Sequence, residues 1–181
     1  LGEAPSQPFI LCMTLITMGS VATELGFYAS AQVHLDKALD LAQADRDPFR
    51  TGMAWNALGE LARCEQKYSA ARVYYERSVQ IFREINAQRD LASVLRNLGY
   101  TCLHLGNIAR ANLLFQESTG IQQTLRNIPG IAECLVGFAS IAILQNMPAA
   151  GARLLGASRA VAVKHVIIAT TWRASKGTDA E

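Results

Sequence analysis

The stretch Trp55–Ser78, WNALGELARCEQKYSAARVYYERS, decides how this chain folds. Trp55, Leu58, Gly59 and Ala62 recur at steps of three, one and three, and Ala71, Tyr75 and Ser78 at steps of four and three. Those are helical spacings, so the stretch reads as two helices joined by a tight turn. The small residues Gly59, Ala71 and Ser78 alternate with the large Trp55, Leu58 and Tyr75, which lets one helix sit closely on the other. Forty positions back, the same places hold Leu15, Met18, Gly19, Ala31, Leu35 and Ala38; forty forward, Leu95, Leu98, Gly99, Ala111, Phe115 and Ser118. A further forty gives Leu135, Phe138, Ala139, Gly151, Leu155 and Ser158. Large positions stay large, small positions stay small, and no gap is needed. A unit repeated in this way cannot bury its own apolar face and stacks on copies of itself.

The order W-x2-L-G followed by A-x3-large resembles the tetratricopeptide (TPR) signature, whose usual period is ~34 residues. The 40-residue period here is similar to the long TPR variant of large bacterial ATPase regulators, spindle-orientation proteins and kinesin light chains. The resemblance implies an all-α, right-handed superhelical solenoid of about four antiparallel helix pairs. Repeats are expected at about 8–47, 48–87, 88–127 and 128–164, followed by a C-terminal tail over 165–181. The extra residues are expected to lengthen the second helix of each repeat and the loop after it. Helices are expected near 9–25, 29–44, 49–65, 69–85, 90–105, 109–126, 131–145 and 149–164. Gly26, Gln66, Gly106 and Asn146 fall at one register position, and Gly and Asn tolerate the left-handed conformation that ends a helix. Repeat four carries Gly151 and Gly156, each lowering helix propensity by ~1 kcal/mol relative to Ala. Its A-R-L-L-G-A string, Ala152–Ala157, resembles the closing repeat of LuxR/MalT-type regulators. Beyond Lys164 the pattern stops, with a helix expected through Ile168 and a mobile tail after it.

Composition agrees with one helical domain. Half of the 181 residues are hydrophobic and the net charge is +2, which makes no general case for nucleic acid or membrane. Charge is uneven: residues 1–45 hold five acids against Lys37, while Arg153, Arg159, Lys164, Arg173 and Lys176 stand among 134–178 without an acid. Cys12, Cys64, Cys102 and Cys134 form no C-x-x-C pair or zinc spacing, so they read as free thiols of a reducing cytoplasm. Phe9–Met18 is apolar, but no Lys or Arg precedes Lys37, so the basic start of a signal peptide is missing. The run is also shorter than the ~20 residues that span a bilayer. Its apolarity suggests an upstream repeat as cover, or self-association through Phe9, Ile10, Met13 and Ile16.

Enzyme signatures are absent. The sequence holds no phosphate-binding loop, no G-x-G-x-x-G after a strand, no H-E-x-x-H, no G-x-S-x-G and no kinase set. His34, His104 and His165 are scattered, so no metal, cofactor or catalytic group is expected. What remains is a binding surface. In the TPR family, positions two, five, nine, twelve and thirteen of each first helix line a concave groove. Carried over by register, those positions put Asn56, Glu60, Arg63, Arg96, Tyr100 and His104 at its centre, with Met13, Ile16, Ser20, Thr23, Glu24, Met53, Cys64, Ser93, Leu103, Glu133, Val136, Ser140, Ile143 and Leu144 along it. Arg63, Arg96 and Tyr100 are expected to converge on one patch for an anionic ligand with an apolar part. The other reading is that Arg63 pairs with Glu60, and Arg96 with a neighbour. The basic clamp that co-chaperone repeats use on a C-terminal carboxylate is mostly missing. Two classes stay open: a module of a larger cytoplasmic regulator that binds a protein, a peptide or a small inducer, and a nucleic-acid contact through the basic C-terminal end.

Overall fold

A computed structural model describes the backbone of residues 7–177 and the side chains of 9–162. Eight helices follow one another: α1 (Gln7–Glu24), α2 (Tyr28–Ala44), α3 (Pro48–Cys64), α4 (Tyr68–Glu84), α5 (Gln88–His104), α6 (Ile108–Thr124), α7 (Ile128–Leu144) and α8 (Pro148–Gly177). Among the described residues there is no strand. Helices α2 to α7 each have 17 residues, and every link has three. The long period is therefore shared equally between the two helices. The expected lengthening of the second helix and its loop does not occur, because one link geometry serves both kinds of junction.

That geometry is set by the backbone. The middle residue of each link has positive φ: Gly26 at 81°, Arg46 at 52°, Gln66 at 60°, Asn86 at 55°, Gly106 at 75°, Arg126 at 52° and Asn146 at 60°. Its N–H turns back to the helix and the next N–H reaches further, as when Gln66 N donates to Arg63 O (3.0 Å) and Lys67 N to Ala62 O (2.8 Å). This paired closure satisfies carbonyls that a helix end leaves open. Asp47, Asn107 and Asn127 then cap the following helix by accepting from the N–H groups of Arg50, Arg110 and Gly130, a role suited to short polar side chains.

Each first helix packs on the second helix of its repeat, each second helix on the next first helix, and α1, α3, α5 and α7 touch in sequence. Among the described residues the second helices make no such backbone approach to one another, so the first helices form the inner layer of a curved stack. The small–large alternation explains how the layers interlock. A Cβ placed on Gly59 would stand 2.6 Å from the Tyr75 ring, and one on Gly99 would stand 2.8 Å from the Phe115 ring. One register of hydroxyls ties the pairs together. Ser78, Ser118 and Ser158 donate to the carbonyls of Gly52 (2.8 Å), Ala92 (2.7 Å) and Ala132 (2.8 Å). In repeat one the register residue is Ala38, and the Cys12 thiol donates to its carbonyl instead. On the outer face Arg83–Glu117 and Arg110–Glu76 bridge α4 to α6. Exposed pairs of this kind contribute only ~0.2–1 kcal/mol, so apolar packing carries the stack.

The structure refines the sequence reading in three details. Trp55 is half-buried at the edge of the core, stacked on Tyr74 (centroids 5.5 Å) with the Arg77 guanidinium over its ring at 4.5 Å. It also packs against the core shared by repeats one and two. The face Phe9–Ile10–Met13–Ile16 is divided: Ile16 is buried and Met13 packs on the core, while Phe9 and Ile10 are exposed. The exposed apolar stripe is Ile10, Leu11, Met18, Val21 and Leu25. Leu11, Met18 and Val21 match Leu91, Leu58 and Leu61 in register, all buried where a preceding repeat covers them. Finally, α8 runs to Gly177 instead of ending near Ile168, because no Pro or Gly interrupts it after Gly156. Residues 178–181 of the expected tail lie outside the described residues.

Candidate functional site

The inner helices enclose an open groove of about 740 Å³, lined chiefly by α1, α3 and α5 with Val136 of α7. Five of the six central candidates meet in it: Asn56, Glu60, Arg63, Arg96 and Tyr100. Ile16, Ser20, Glu24, Met53 and Ser93 line it as the register implies. His104 does not. It stands exposed in a neighbouring depression with Leu103, Ser140, Ile143 and Leu144, its ring stacked on Tyr68 at 4.3 Å. Tyr100 lines both spaces. Thr23, a groove position by register, is buried and its hydroxyl donates back to Gly19 O.

Charge is arranged differently from the expected cationic patch. Both Nε and Nη2 of Arg63 donate to the Glu60 carboxylate. The Tyr75 hydroxyl donates to the same carboxylate at 2.9 Å, reaching through the gap left by Gly59. Burial works against the charge on Glu60. The Arg63 guanidinium and then the Tyr75 hydroxyl outweigh it and hold the carboxyl below its ordinary range. The bond to Glu60 raises Arg63 in turn. Burial and the adjacent Glu60 push the Tyr75 phenol up, so it stays a neutral donor. Burial, reinforced by the Glu60 charge, likewise raises the Cys64 thiol. Arg96 is paired with Glu133 of α7. The Tyr100 hydroxyl donates to the Glu133 backbone carbonyl at 3.1 Å, and its ring meets Phe115 edge-on at 5.0 Å. Both arginines and the phenol are thus engaged with the protein, because the inner layer brings an acid within reach of each guanidinium.

Two polar groove residues lie outside the register positions. Asp90 lies in the first turn of α5, and Asn97 sits one residue past Arg96. Asn97 shares its register position with Thr17, Ala57 and Gly137, and its amide is the longest side chain of that set. Its amide approaches Asn56 Oδ1 at 3.5 Å. The pair leaves amide capacity turned to the groove, suited to a peptide backbone. Among the described residues no group of His, Cys, Asp and Glu is arranged to hold a metal ion. Cys12, Cys64, Cys102 and Cys134 are free thiols. No described helix is long and apolar enough to cross a membrane. Of the basic C-terminal residues, Arg153 and Arg159 are exposed on α8; the side chains of Lys164, Arg173 and Lys176 fall outside the described set.

Helix pairs stacked at a fixed period around an inner groove define a helical-repeat scaffold. The sequence profile of the tetratricopeptide repeat matches residues 10–84 and 50–124, and the chain belongs to that family. No curated protein sequence matches it significantly. Among solved structures, BtubC (BKLC) from P. vanneervenii is similar at TM-score 0.75 and 14% identity, over 90% of this chain and 67% of that one. A signal transduction ATPase with numerous domains (STAND) carrying a tetratricopeptide repeat sensor, from Pyrococcus horikoshii, is similar at TM-score 0.75 and 15% identity. The match takes in 96% of this chain but only 27% of that protein. At these identities the likeness is one of fold.

Proposed function

We propose that the chain is the partner-binding array of a larger cytoplasmic signalling regulator, and that its groove seats a segment of a protein partner. The groove itself carries this reading: a concave space built from first helices of successive repeats, polar in the middle and open at its ends. Asn56 and Asn97 hold the partner's backbone, while the Glu60–Arg63 and Arg96–Glu133 pairs fix the walls. The span of this chain within the ATPase-linked sensor protein supports a place beside a catalytic part in a longer polypeptide, with the chain itself non-catalytic. A small inducer is the lesser variant of this reading, because an open groove buries little of a compact ligand.

The test is selection of binding peptides from a random displayed library, followed by titration of the best one against Asn56→Ala combined with Asn97→Ala. Loss of two backbone contacts should weaken binding about tenfold or more, with unchanged helical circular dichroism. Undiminished binding would move the site off the concave face.

A further inference from the structure

The two ends of the stack leave complementary faces uncovered. In α3, α5 and α7 the side turned to the preceding second helix is buried, as at Leu58, Leu91, Leu98 and Ile141. The same positions of α1 hold Leu11, Met18 and Val21, all exposed. Helix α8 shows the reverse gap. Leu155 is 43% exposed, whereas its register mates Leu35, Tyr75 and Phe115 are fully buried. Phe115 shows what Leu155 lacks. It is wedged between α5 and α7: a Cβ on Gly99 would stand 2.8 Å from its ring and one on Gly137 2.6 Å, with the Phe138 ring at 5.9 Å. Among the described residues α8 approaches α7 alone. Ala162 is likewise exposed, while its register mates Ala42, Phe82 and Gln122 are buried, Gln122 against Gly130 of α7.

We infer that the chain assembles head to tail, with α8 of one copy covering α1 of the next, so that the junction made by α6 on α7 is repeated between molecules. One repeat further along the register, the partners of Phe115 and Gln122 become residues of the next copy. Leu155 then meets its Thr17 and Met18, and Ala162 meets its Ile10. Sizes suit this placement. The long Gln122 lies on Gly130, which has no side chain, and the small Ala162 faces the large Ile10. The hydroxyls of Thr14 and Thr17 already donate to Ile10 O and Met13 O, so covering them strands no donor. Arg159, register mate of the buried Val79, can lay its stem along the neighbour and keep its head in water.

Charge favours the same pairing over like meeting like. Helix α1 carries Glu24 and no base, whereas α8 carries five Lys and Arg and no acid. Two α8 ends would repel, and unlike ends attract on approach. Because the two faces differ, the contact is heterologous and propagates from copy to copy into a chain or a closed ring. None of these residues lines the groove, so assembly extends the inner layer without occupying it.

Sedimentation equilibrium of the 181-residue chain tests this. The weight-average mass should rise with concentration beyond that of one chain. Met18→Glu combined with Val21→Glu spoils one face, and Leu155→Glu combined with Ala162→Glu the other; each variant should stay monomeric with unchanged helical circular dichroism. Where the Leu155 change reduces helicity, Ala162→Glu alone serves, since that residue is exposed. Each variant keeps the face that the other has lost, so an equimolar mixture should form a one-to-one heterodimer and nothing larger. A parent that remains monomeric at every concentration would overturn the inference and leave both faces to other chains. Dimers of the α8 variant by itself would show α1 packing on α1, dimers of the α1 variant would show α8 packing on α8, and either refutes head-to-tail assembly. So would a mixture of the two folded variants that stays monomeric.

Discussion

Gly59→Ala is a sharp probe of how the two layers fit. The new Cβ would lie 2.6 Å from Cδ1 and Cε1 of Tyr75, well inside van der Waals contact. Tyr75 is fully buried, so its ring cannot swing to solvent. It must push its neighbours or release its hydrogen bond to Glu60 (2.9 Å). Overpacking costs ~1–3 kcal/mol, and a lost bond to a charged group adds ~1.5–3 kcal/mol. Removing a helical glycine offsets ~1 kcal/mol of this. The net expectation is a loss of about 1.5–5 kcal/mol. Gly120 supplies the control: it is also helical, but a Cβ there meets nothing within 4 Å, so Gly120→Ala should gain ~1 kcal/mol. Urea denaturation of both variants against the parent reads the difference as opposite midpoint shifts at equal m. A Gly59→Ala midpoint at or above the parent's would show that the helices do not approach as described, and the register built on that contact would fail with it.

Gln66 holds a positive φ of 60° that costs an L-residue ~1–2 kcal/mol. Gln66→Gly should therefore raise stability by ~0.5–1 kcal/mol, measured in the same titration; a decrease would refute the strain. Glu60 has a folded pKa below its unfolded value. Its contribution is therefore full above the unfolded pKa of ~4.3 and is lost as pH falls through the folded one. Glu60→Gln should flatten the acid limb of the stability profile below about pH 4. Asp47, also lowered beside Arg50 although burial opposes it, should leave a residual acid dependence. An unchanged limb would mean that Glu60 is not held by Arg63 and Tyr75.

The sequence by itself determined the repeat, its period and the layer each residue joins. Those follow from the spacing of large and small residues, because a Gly opposite a ring, such as Gly59 beneath Tyr75 or Gly99 beneath Phe115, is a one-dimensional record of a close approach. It also placed the left-handed residues Gly26, Gln66, Gly106 and Asn146, since turn chemistry is local. Most of the groove lining was legible for the same reason: residues a helical turn apart share a face. Only the tertiary structure decided what that face carries. Glu133 reaches Arg96 from the next repeat and Tyr75 reaches Glu60 from the outer layer, so the apparent cationic patch is spent on internal pairs. It also decided that Ile16 is buried while Leu11, Met18 and Val21 are bare, because the cover on a first helix comes from the preceding repeat. Pairing and cover arise between elements distant in sequence. Periodicity within one helix cannot assign a partner to a charge or a neighbour to an apolar stripe.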